Sequence, residues 1–86
     1  MEWLDRVEKM EEIFEGNTST AELALRIIDS RPELDAETYA VVFANELRGF
    51  WDPDNGDTED EHWENNFAWG VEAFEEYLDW EEEEEE

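Results

Sequence analysis

The sequence predicts a small all-α protein: a single-domain bundle of about four helices, the last one longest and acidic. Three observations carry that prediction. Apolar residues recur at spacings of three and four through four segments. Each segment is bounded by residues that start or stop helices. Five Trp, five Phe and two Tyr among 86 residues supply an efficient core, because each aromatic buries about 150–250 Å².

The first helix is expected over 2–15, where Trp3, Val7, Met10 and Phe14 form a stripe widened by Leu4 and Ile13, and Gly16 suits its stop. The second follows "NTSTAEL", with Ser19 as cap and Glu22 completing a capping box. Leu23, Ala24, Ile27 and Ile28 share its face, and Pro32 disfavours helical geometry at Arg31. Asp35 suits the cap of a third helix over 36–48, with Tyr39, Val42, Phe43 and Leu47 on its apolar face and Gly49 as its stop. "WDPDNGD" reads as a turn-rich loop. Thr58 and Glu61 form a second capping box for a helix from Glu59 to Trp80. That helix carries one apolar stripe of Trp63, Phe67, Gly70, Val71, Phe74 and Leu78, and a narrower row of Trp69, Ala73, Tyr77 and Trp80. Residues 1–80 are thus expected to form one helical domain, and 81–86, six glutamates, a frayed or mobile acidic tail.

Charge is the dominant feature. The chain has 29 acids against five bases, a formal charge of −24. Residues 1–48 hold 12 acids and all five bases, whereas residues 49–86 hold 17 acids and no base. Such a field repels nucleic acid and anionic lipid and draws in basic protein surfaces. Direct nucleic-acid or membrane binding is therefore not expected. No apolar run reaches the roughly 18–20 residues that span a bilayer. "MEWLDRVEKM" lacks the basic start and apolar run of a signal peptide. The absence of cysteine fits a reducing compartment, so a cytoplasmic location is expected.

The last helix breaks a rule. Its carbonyl end attracts cations, yet it ends on Asp79, Trp80 and glutamates. Asp60, Glu61, Glu64, Glu72, Glu75, Glu76 and Asp79 project largely from one side, and six of their pairs lie three or four residues apart. At about 0.2–0.5 kcal/mol per like-charge pair, the set costs about 1–3 kcal/mol. A solvated face is more cheaply built with interspersed lysine. Steps of three, four and eight residues place carboxylates about 4.5, 6 and 12 Å apart along the axis, a range that overlaps phosphate spacing along DNA. The candidate partner-binding residues are Asp52, Asp54, Asp57, Glu59, Asp60, Glu61, Glu64, Glu72, Glu75, Glu76, Asp79 and Trp80. Trp63 is expected in the core. Trp69 and Trp80 are expected at half-exposed positions, as packing, a binding anchor or a homodimer seam.

Other chemistries fit less well. Placing Gly56 at the sixth position of a calcium loop puts Trp51, Pro53 and His62 where ligands belong. Dedicated metal or cofactor binding is not expected. His62 has no cysteine or evident nucleophile beside it in sequence, so catalysis is not expected. Halophilic adaptation accounts for lysine scarcity, but it would spread charge over the whole surface.

In length, charge and aromatic content, and in the segment "DPDNGDTEDEHWENN", the chain resembles the functional class of small acidic DNA-mimic inhibitors. That class shares no fold. Many of its members are phage-encoded and block restriction enzymes, CRISPR effectors, repair glycosylases or nucleoid proteins. The resemblance implies a mechanism, occupation of the basic groove of a nucleic-acid-binding protein such as a nuclease, CRISPR effector or restriction enzyme. Two alternatives remain beside it: an immunity protein or antitoxin that neutralises a basic nuclease, and an acidic chaperone of a basic protein.

Overall fold

In the computed structural model, which describes residues 2–31 and 33–84, four helices follow one another: α1 (Trp3–Ile13), α2 (Thr18–Ser30), α3 (Ala36–Leu47) and α4 (Glu59–Glu84). No strand occurs among the described residues. α1 packs on α2 and α4, and α3 packs on α2 and α4, so the helices close a ring around one core. Phe14 meets Trp69 while Arg6 meets Tyr77, which runs α1 antiparallel to α4. Tyr39 meets Phe74 while Arg48 meets Glu59, so α3 is antiparallel to α4 as well.

The core is built largely, not wholly, from the expected stripes. Val7, Met10 and Phe14 of the first segment meet Ile27 and Ile28 of α2, Tyr39 and Phe43 of α3, and Phe74 and Tyr77 of α4. α2 also buries Ala21 and Leu25, which lay outside its expected face, while Leu23 is only half-buried. Each large side chain so buried contributes about 1.5–3 kcal/mol. Phe43 stands at its centre, stacked on Phe14 at 5.5 Å and edge-on to Phe74 at 5.7 Å. Gly70 lets α3 and α4 approach closely: a Cβ there would sit 3.0 Å from the Phe43 ring and 3.2 Å from Ala40 Cβ.

The helix signals hold in part. Asp35 caps α3, accepting from the Thr38 amide at 2.8 Å, and Thr58 Oγ1 accepts from the Glu61 amide at 3.1 Å. Arg31, at φ −138°, has left the helical region before position 32. The cap of α2 is Asn17 rather than Ser19: its Oδ1 accepts from the Thr20 amide at 3.0 Å, and Ser19 lies inside the helix. Asn is at least as good a cap as Ser, and the preceding turn delivers the chain to it. That turn is a Schellman motif. The Gly16 amide donates to Glu11 O at 2.7 Å and the Glu15 amide to Glu12 O at 3.3 Å. The left-handed position beyond the helix therefore falls on Glu15, at φ 56°, one residue before the glycine.

Two further expectations change. Trp63 is not core. It lies half-buried at the rim, stacked on Phe67 at 5.3 Å with Nε1 donating to Asn45 Oδ1 at 2.8 Å. α4 does not end at Trp80; it stays helical through Glu84, four residues into the glutamate run, while Glu85 and Glu86 lie outside the described residues. Among the described residues, no helix is long and apolar enough to cross a membrane.

Candidate protein-binding surface

Thr58 sets the start of α4, and the buried line of Gly70, Ala73, Phe74 and Tyr77 sets its rotation. At about 100° per residue, the opposite side then carries Glu61, Glu64, Glu72, Glu75, Glu76 and Asp79 within an arc of about 120°. All six are exposed, and none is in an ion pair among the described residues. Asp60 is exposed at the edge of this arc. The face is not continuous. Between Glu64 and Glu72, about 12 Å along the axis, it presents Asn65, Ala68 and Trp69 instead. Two acidic patches thus flank a neutral waist.

The remaining candidates divide. Asp52, Asp54 and Asp57 are exposed in the loop that leads into α4. Asp52 also caps the short 3₁₀ turn Pro53–Asn55 through the Asp54 amide at 2.9 Å, and the Asp57 carbonyl accepts from Trp51 Nε1 at 3.0 Å. Glu59 lies 3.4 Å from Arg48 and so closes the loop onto the end of α3. Trp80 is half-buried, its ring 5.6 Å from that of Tyr77. Trp69 is 37% exposed, its ring centroid 4.8 Å from that of Phe14 in a T-shaped contact. α1 adds a second acidic row, Asp5, Glu8 and Glu12, all exposed and accompanied by Lys9. Around α2 and α3 the acids are interleaved with Arg26, Arg31 and Arg48. The negative potential is therefore lopsided, strongest along α4, and not confined to it.

Sequence reading missed how the carbonyl end of α4 is held. Arg6 of α1 reaches it across the bundle. Its Nε donates to Tyr77 Oη at 2.7 Å, and its two terminal nitrogens grip Asp29 of α2 at 3.2 and 2.7 Å. Tyr77 in turn donates to Glu81 Oε2 at 2.6 Å, which stands 3.6 Å from Arg6 Nε. The first glutamate of the terminal run is thus part of the fold. The bond to Asp29 raises the Arg6 pKa beyond its already high ordinary value. Burial, and then the bond to Glu81, push the Tyr77 phenol upward against the pull of Arg6. A cation does serve the last turns of α4, as the helix dipole demands, but it comes from another helix. The only local hint was a lone arginine flanking the apolar stripe of the first segment.

His62 is half-buried with Asn66 Nδ2 3.3–3.4 Å from its ring nitrogens. Among the described residues, no group of three or more His, Asp or Glu side chains gathers where it would hold a metal ion. No protein-family model, curated protein or solved structure matches the chain.

Proposed function

We propose that the protein is a non-catalytic inhibitor that occupies the basic DNA- or RNA-binding groove of a partner protein in place of the nucleic acid. One observation carries this reading: the outer face of α4 presents six exposed carboxylates with no ion pair among the described residues, on a helix tied near its start to Arg48 and near its end to Arg6. Their axial steps of about 4.5, 6 and 12 Å suit a groove whose Arg and Lys side chains are spaced for phosphates. Charge-assisted hydrogen bonds to carboxylates replace those to phosphate oxygens. The partner is a nuclease, CRISPR effector or restriction enzyme, and the setting is the cytoplasm of a cell in which a phage or mobile element expresses this chain against a defence system.

The test is competition against DNA across a panel of such proteins. One member should be displaced from DNA, with apparent affinity for this protein falling steeply as salt rises. The variant Glu72→Gln, Glu75→Gln, Glu76→Gln and Asp79→Asn should lose inhibition and melt at a higher temperature, because like-charge pairs are removed. Full inhibition by that folded variant sinks the assignment of α4. The exposed aromatics Trp69 and Phe50 favour a second reading, an immunity protein or antitoxin whose grip on a basic nuclease depends on a few apolar contacts. Inhibition that survives high salt selects it.

A further inference from the structure

Where α2 begins and α3 ends, an open cleft of about 530 Å³ is walled by Leu23, Leu47 and Phe50, with Thr20 and Glu46 among its polar lining. Phe50 is 75% exposed, more than any other large apolar side chain among the described residues. It closes the 3₁₀ turn Arg48–Phe50, from which the chain departs into the loop through Trp51. Leaving a phenylalanine in water forgoes the favourable free energy of burying its ring. Phe50 is not among the side chains packed against the core, so its ring is free to meet a partner over the cleft.

Charge decides the occupant. A second copy also carries −24, and an anionic ligand meets the same field. Glu46 lies in the cleft, and Asp52 and Asp54 follow Phe50 by two and four residues, with no base after Arg48. We infer that this cleft receives an apolar side chain from a basic amphipathic segment of the partner. The inference rests on the proposed reading only in taking the partner to be a cationic protein. An apolar centre ringed by charge is the usual anatomy of an interface. It supplies affinity that salt does not screen, beside the salt-sensitive attraction of α4.

The test uses two synthetic 18-residue peptides of equal positive charge, one with lysine and leucine on opposite helix faces, the other with serine in place of leucine. Each is titrated into isotope-labelled protein at about 0.15 M and about 0.5 M salt and followed by NMR. The leucine peptide should bind about tenfold more tightly, with shifts centred on Leu23, Leu47 and Phe50. Phe50→Ser, whose site is exposed and whose folding is checked by thermal melting, should abolish the difference and leave the salt dependence unchanged. Equal binding of the two peptides, shifts confined to α4, or an unaltered preference in Phe50→Ser each overturns the inference. The α4 amide variant separates the two proposals. It weakens both peptides equally if only the electrostatic face is lost, and the leucine preference persists. A leucine preference lost in that variant while Phe50 is intact overturns the cleft.

Discussion

Arg6 is the residue whose removal the fold should feel most. Its guanidinium joins three helices through Asp29, Tyr77 and Glu81. Tyr77→Phe deletes the hydroxyl that both accepts from Arg6 and donates to Glu81, so it should cost about 1–3 kcal/mol in urea unfolding. The phenol also makes stability depend on pH. Its pKa is raised in the folded protein, so its contribution is complete below the ordinary tyrosine value near 10. Above that value the unfolded chain ionises first and stability falls. Thermal melts from about pH 9 to 11.5 should show a decline that is shallower in Tyr77→Phe. Glu15 is the opposite case, a side chain held at φ 56° where glycine is preferred. Glu15→Gly should raise stability by about 0.5–1 kcal/mol. Neither residue was legible in the sequence. The left-handed position depends on the residue at which α1 stops, which Gly16 marks only to within one place, and the Arg6 contacts span 23 and 71 positions, beyond the reach of local patterns.

At the scale of helices the sequence was most informative, because caps and apolar periodicity act within a few residues. Asp35 and Thr58 cap where expected, and Tyr39 and Phe43 of α3 are buried as expected. The buried line of α4, Gly70, Ala73, Phe74 and Tyr77, instead runs between its two expected rows and leaves Val71 and Leu78 half-buried. Asp35 gives this a pH signature. Hydrogen bonds from Thr38 lower its pKa, so its contribution is present above the ordinary carboxylate range and lost as pH falls through it. Asp35→Asn should flatten that part of the acid limb. Ser19 shows the limit: two adjacent sequences both read as starts, and the turn before Asn17 chooses between them. Trp63 shows another, since periodicity does not reveal that the rim is reached before the helix ends. Gly70 lay on the expected stripe, but its role as the contact between α3 and α4 depends on how the two helices cross, which no local pattern encodes. Alanine is the better helix former by about 1 kcal/mol. Gly70→Ala should nonetheless destabilise, by about 1–3 kcal/mol, because its methyl meets Ala40 and Phe43 in a filled core. Calorimetric melting measures the sign directly.

For the whole molecule, the axes measure 45 × 23 × 19 Å, and α4 alone accounts for about 39 Å of the longest. The carboxylate face from Glu61 to Asp79 takes up about 27 Å of that helix, which on the proposed reading corresponds to about eight base pairs of duplex rise. A charge of −24 on so small a body repels itself. Salt should therefore raise the melting temperature while weakening any partner held by α4. Opposite signs for the two responses distinguish an interface from a surface that merely tolerates salt. Total charge and its bias toward the C-terminal half were readable from composition. How far α1 extends the acidic surface was not, because that depends on which side of the ring each helix turns outward.

The bond from Tyr77 to Glu81 also makes the terminal glutamates unequal. Truncation after Glu81 preserves the acceptor, whereas truncation after Trp80 leaves the Tyr77 hydroxyl bonded to Arg6 but without a group to donate to, and removes one carboxylate from beside that arginine. Shortened chains differing by that one residue should unfold at separable denaturant midpoints, although composition alone would class them as interchangeable.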